Sequence, residues 1–88
     1  PQRFIMGDFL DHSGLGAEAR LFFTPEGSVE SFPLPGGWRR WILQLGDLNG
    51  ENPSEHLIRR IRRLTGHDLG ADPVRFVSPF GAKRMIVN

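Results

Sequence analysis

The chain has no cysteine and no tyrosine, and its charge is nearly balanced, with 11 Lys and Arg against 10 Asp and Glu. Without cysteine there is no disulfide, no thiolate metal site and no cysteine nucleophile. That composition fits a reducing, cytoplasmic compartment. The isoelectric point near 9.2 reflects a formal net charge of only +1 and is no argument for a nucleic-acid partner. No apolar run approaches the roughly 20 residues needed to span a bilayer, so no membrane partner is expected. Gly-x-Gly-x-x-Gly and Walker patterns are missing, and with them any built-in phosphate cradle. No serine sits in a Gly-x-Ser-x-Gly elbow. His12, His56 and His67 have no second ligand at metal spacing, and Asp8, Asp11, Asp47, Asp68 and Asp72 form no carboxylate pair. We therefore expect no catalytic residue and no metal site in this chain.

What is present reads as one small domain. Eighty-eight residues are too few for a cofactor domain plus a substrate domain. Arg3 to Leu10 is rich in β-formers, with Gly7 a candidate bulge. Ala19 to Thr24 and Ser28 to Leu34 flank the turn signal Pro25-Glu26-Gly27 and predict a hairpin. Pro35-Gly36-Gly37 turns the chain into a fourth strand, Trp38 to Leu45, so three strands form an antiparallel meander. After the polar stretch Gly46 to Asn52 the period changes. Ser54 is a candidate N-cap. Leu57, Ile58, Ile61 and Leu64 form one apolar helical stripe, and Gly66 is placed to end the helix. Pro73 to Val77 reads as a last full strand, and Arg84 to Val87, after Ser78-Pro79-Phe80-Gly81, as the start of another. The fold class predicted is α+β, a mostly antiparallel sheet of about four to five strands with one helix packed on one face.

Two segments invite a functional reading. Arg59, Arg60, Arg62 and Arg63 crowd the polar side of the helix. They fit a solvated face that complements the helix dipole, and also contact with a larger protein or with nucleic acid. On the strand Trp38-Arg39-Arg40-Trp41-Ile42-Leu43-Gln44-Leu45 alternate residues face opposite ways. Trp41, Leu43 and Leu45 make an apolar side to lie under the helix. Arg40, Ile42 and Gln44 line the other side, which could be solvated or could wall a ligand pocket.

The order of motifs resembles the middle region of flavoprotein monooxygenases related to p-hydroxybenzoate hydroxylase. The motifs are Phe22-Phe23-Thr24-Pro25-Glu26-Gly27, then Ser31-Phe32-Pro33-Leu34-Pro35-Gly36-Gly37-Trp38-Arg39-Arg40-Trp41, then the helix and Val74-Arg75-Phe76-Val77-Ser78-Pro79-Phe80. The resemblance runs from about Phe4 to Val87. It implies a sheet that roofs the flavin of an FAD-dependent enzyme, with NAD(P)H as the parent's reductant and the cofactor carrying the chemistry. It places Arg40 and Arg84 on the flavin side, and Phe32, Leu34 and Ile42 along the substrate. Where p-hydroxybenzoate hydroxylase has a serine and an arginine holding the substrate carboxylate, this sequence has Phe32 and Leu34, which cannot build a bidentate clamp. A more apolar substrate, or one held differently, is implied. Halogenases and prenyl reductases share the architecture.

These readings converge on an excised substrate-side domain, residues 1–88, of a larger flavoprotein. Pro1 at one end and the strand-like Met85-Ile86-Val87-Asn88 at the other support that expectation. The fragment alone should bind no FAD and catalyse nothing. Its partners would be a small-molecule substrate, the missing FAD-binding domain and, through an uncovered apolar face, a second copy of itself. The alternative is an autonomous α+β module that binds a peptide or nucleic acid on one sheet face.

Overall fold

A computed structural model describes residues 3–25, 27–45 and 52–81. Its elements are β1 (Arg3–Leu10), β2 (Arg20–Thr24), β3 (Gly27–Leu34), β4 (Trp38–Leu45), α1 (Pro53–Thr65), a single 3-10 turn (Leu69–Ala71) and β5 (Val74–Gly81). The strands form one sheet in the order β2-β3-β4-β1-β5. All four described strand pairs are antiparallel. The predicted α+β class and the β2-β3-β4 meander are therefore present. No helix of the described residues is long and apolar enough to cross a membrane.

The strand period of two sorts side chains onto two faces. Ile5 and Phe9 of β1, Val29 of β3, and Trp41 and Leu43 of β4 point to one face. They bury there with Leu57 and Ile61 of α1 and with Leu69. Ile58 and Leu64, the outer edge of the helical stripe, pack against this core half-buried. Fully burying an aliphatic or aromatic side chain contributes about 1.5–3 kcal/mol, so these eight residues are the main stabilising term of the fold.

Three local expectations need correction. The helix is capped by Asn52 and not by Ser54: the Asn52 side chain accepts from the backbone N–H of Ser54 and Glu55, at 2.9 and 3.1 Å. Pro53 takes the first helical position, where its missing N–H costs nothing, and that shifts the cap one residue before it. Gly66 does end the helix, with φ 85° and its N–H on the Arg62 carbonyl. Gly7 is not at a bulge, since the irregularity of the β1–β5 ladder falls between Asp8 and Phe9. Gly7 instead leaves room for packing. A Cβ there would lie 2.7 Å from Leu57 Cδ2, 2.8 Å from Phe9 Cε1 and 3.2 Å from Val77 Cγ2. Gly7→Ala is therefore expected to cost about 1–3 kcal/mol through overpacking. Urea unfolding checks this, and an unchanged midpoint would contradict it.

The last strand is also longer than expected. β5 continues through Ser78 and Pro79, with Pro79 opposite Ile5 and Phe80 opposite Phe4. Among the described strands β5 stands at the end of the sheet, a position where a residue lacking an N–H is best accommodated. The expected strand Arg84 to Val87 lies outside the described residues.

The link from β1 to β2, residues 11–19, crosses the helix side of the sheet. Arg39 of β4 holds it there with a side chain that has no exposed surface. Its Nε donates to Asp11 Oδ2 (3.0 Å), Nη1 to Ser31 Oγ (3.0 Å), and Nη2 to the carbonyls of Gly16 (2.6 Å) and Glu18 (3.0 Å). The crossing is thus fastened by a buried cation whose donors are matched to two side chains and two carbonyls.

Candidate functional site: the open sheet face

With the helix and the 11–19 crossing on one side, the opposite face of the sheet is covered by no other described element. Its rows follow from the register. Leu10 of β1, Trp38 of β4 and Leu34 of β3 align in one row, Asp8, Arg40 and Phe32 in the next, and Met6, Ile42 and Glu30 in the third. On β2, Leu21 is opposite Glu30 and Phe23 is opposite Ser28, so both join this face. They are 50% and 80% exposed. Beside them Phe32 and Leu34 are half-buried and Ile42 is 6% exposed. The structure therefore gathers Phe32, Leu34, Arg40 and Ile42, four of the residues singled out from sequence, on one face and on adjacent strands. Arg84 lies outside the described residues.

The polar centre of this face is an ion pair. Arg40 Nε donates to Asp8 Oδ1 at 2.7 Å and Nη2 to Oδ2 at 3.0 Å. The Asp8 side chain is only 2% exposed and that of Arg40 29%. This is the bidentate geometry in which guanidinium and carboxylate bind most strongly. The Asp8 hydrogen bond raises the Arg40 pKa above its ordinary value; burial works the other way and the Asp8 charge adds to the rise. Arg40 therefore stays charged, at a position fixed by Asp8. At one end of the face the Arg75 guanidinium lies 4.3 Å from the centroid of the Trp38 ring, a contact worth about 0.5–1 kcal/mol where exposed.

Sequence reasoning missed Asp8 and Arg39. Asp8 and Arg40 are 32 positions apart, and only the β1–β4 register brings them together. Arg39 did carry a signal: two adjacent arginines on a strand must face opposite ways, so one of them had to point to the helix side.

Behind the face, the carboxylate that Arg39 holds responds to pH. Burial alone would push the Asp11 carboxyl up, but it accepts from the Ser13 hydroxyl (2.6 Å) and backbone N–H (2.9 Å) and faces Arg39. Together these outweigh burial and hold it below the ordinary value of 3.8. A carboxylate whose folded pKa lies below its unfolded one contributes stability above the unfolded pKa. That contribution is lost as pH falls through the folded value. Part of the acid destabilisation below about pH 4 should therefore come from Asp11. Urea midpoints of the wild type and Asp11→Asn, compared at pH 7 and pH 3, test this. The variant should lose less on acidification, and parallel losses would contradict the assignment.

The fold and face define a class: an antiparallel sheet backed by one helix, with an apolar face centred on a fixed ion pair. Among solved structures the chain is similar to CabE, an aromatic hydroxylase from angucycline biosynthesis, with a TM-score of 0.65 and 24% identity. The match covers 91% of this chain and 17% of that one, so the chain corresponds in fold to a minor part of a much longer protein. No known family profile matches the chain, and no curated protein matches it by sequence.

Proposed function

We propose that this chain is the substrate-side domain of an FAD-dependent oxidoreductase, an NAD(P)H-dependent monooxygenase that hydroxylates an aromatic or apolar small molecule in the cytoplasm. The observation that carries the reading is the open face. Leu21 and Phe23 stand exposed next to Phe32, Leu34 and Ile42 on the side of the sheet that no described element covers. An exposed apolar patch of this kind marks a surface built for a partner or a ligand. The similarity in fold to a segment of an aromatic hydroxylase agrees with the family resemblance of the sequence motifs.

In this reading Phe32, Leu34 and Ile42 contact the substrate, while Arg40 and Arg84 lie toward the flavin. Arg40, fixed by Asp8, fits a cation presented at one defined point of a wall. The sequence has no Gly-rich dinucleotide cradle, so the rest of the parent protein would hold FAD. When bound, FAD reduced by NAD(P)H supplies the oxygen chemistry. This chain contributes an apolar wall that orients the substrate and excludes water. The fragment alone is inactive and self-associates through the uncovered face.

The test is to purify the protein encoded by the complete reading frame. We expect a flavin absorbance near that of bound FAD, and NAD(P)H oxidation stimulated by small aromatic compounds. Ile42→Asp should raise KM by about tenfold or more, as a buried charge disfavours an apolar ligand. A colourless protein with no NAD(P)H oxidation would overturn the proposal in favour of an autonomous binding module.

A further inference from the structure

On the helix side, away from the open face, a cavity of about 220 Å³ lies between the 11–19 crossing, β2, β4 and the end of α1. Its apolar walls are Leu15, Phe22 and Trp41, and its polar groups are Ser13, Thr65 and His67, with Arg20 also lining it. The volume is below that of drug-sized pockets and suits a ligand of one or two rings.

The polar groups decide which ligand. The His67 ring lies parallel to Trp41, with centroids 5.7 Å apart and planes 6° apart. Its Nε2 is 2.9 Å from Asp72 Oδ2, and the other Asp72 oxygen is 3.0 Å from His12 Nδ1. The Asp72 side chain is 4% exposed. A carboxylate at Nε2 favours the tautomer with the proton on that nitrogen, which leaves Nδ1 a lone-pair acceptor. Among the described residues Nδ1 has no hydrogen-bond partner. The two hydroxyls have already given their protons. Ser13 Oγ donates to Asp11 at 2.6 Å, and Thr65 Oγ1 to the Ile61 carbonyl at 2.7 Å. The cavity therefore offers acceptors between aromatic and aliphatic walls. Its one cation, Arg20, is half exposed and beside Glu18.

We infer that this cavity binds a small planar aromatic molecule bearing an O–H or N–H donor, such as a phenol or an indole, with the donor on His67 Nδ1. The site is separate from the open face and does not rest on the function proposed for it.

Phenol and anisole separate the donor from the ring. Each is titrated into the isotope-labelled chain while the His67 imidazole nitrogens are followed by NMR. Phenol should bind saturably, shift the His67 Nδ1 resonance and bind about tenfold tighter than anisole, the worth of one hydrogen bond. His67→Phe keeps a ring but no nitrogen and should bring the two affinities together. Leu15→Trp fills the cavity without touching the Asp72–His67 bond and should abolish binding of both. Absence of saturable phenol binding, equal affinity for phenol and anisole, or shifts centred on Phe32 and Ile42 would each overturn the inference. Should His67→Phe fail to fold, the phenol-to-anisole ratio and the Leu15→Trp variant still decide.

Discussion

Replacing Arg39 with methionine is expected to lower the unfolding free energy by about 3–5 kcal/mol. Methionine keeps much of the side-chain volume, so the loss isolates the charge and its hydrogen bonds from packing. Arg39 has no exposed surface, and its removal strands Asp11, Ser31 and the carbonyls of Gly16 and Glu18. An unmatched buried polar group costs about 1–3 kcal/mol, more if charged. The 11–19 crossing would recover some of this by lifting into water. A domain of this kind has roughly 5–15 kcal/mol of stability in total, and a small one sits low in that range. Arg39→Met should therefore bring the chain close to unfolding at room temperature. Urea denaturation followed by tryptophan fluorescence measures the change. A loss below about 1 kcal/mol, the scale of a surface pair, would mean that the crossing does not depend on this residue.

The second large effect concerns the open face. Arg40→Met should cost about 3 kcal/mol, at the lower end for a broken buried pair because the guanidinium is 29% exposed. The cost comes from Asp8, whose carboxylate would stay buried without its partner. Replacing both residues, Asp8→Leu with Arg40→Met, should restore most of the loss, because a well-packed apolar pair is often as stable as a buried ion pair. A double variant no better than Arg40→Met would show that Asp8 is not the source of the cost. Restored stability together with lost activity in the full-length protein would assign the pair to function.

How far the fold was legible follows from which signals are local. The β2-β3-β4 meander was readable because Pro25 with Gly27, and Pro35-Gly36-Gly37, mark both turns in the sequence itself. α1 was readable because Leu57, Ile58, Ile61 and Leu64 keep one helical stripe. The errors have local causes too. Pro53 reads as the residue before a helix but is its first residue. Pro79 falls after the strand signal ends at Val77 but stands within β5, and whether a proline fits there depends on the neighbouring strands and not on the local sequence. At the site, the alternation of β4 separated Trp41 and Leu43 from Arg40 and Ile42 without any structure. It could not show that Asp8 faces Arg40, or that residues 11–19 lie over Arg39. Both depend on partners 21 to 32 positions away, and no periodicity within one strand carries that information.

The flanking sequence of the reading frame gives the most direct test of the proposed flavoenzyme domain. If this chain roofs a flavin, a strand, a Gly-x-Gly-x-x-Gly turn and a helix should precede Pro1, because phosphate binding needs a Gly-rich turn at a helix N-terminus. In the monooxygenases that the sequence motifs resemble, a Gly-Asp-x-x-His motif follows this region, so one should lie shortly after Asn88. A reading frame that carries neither motif would contradict the flavoenzyme reading and leave the open face as the docking surface of an independent binding module.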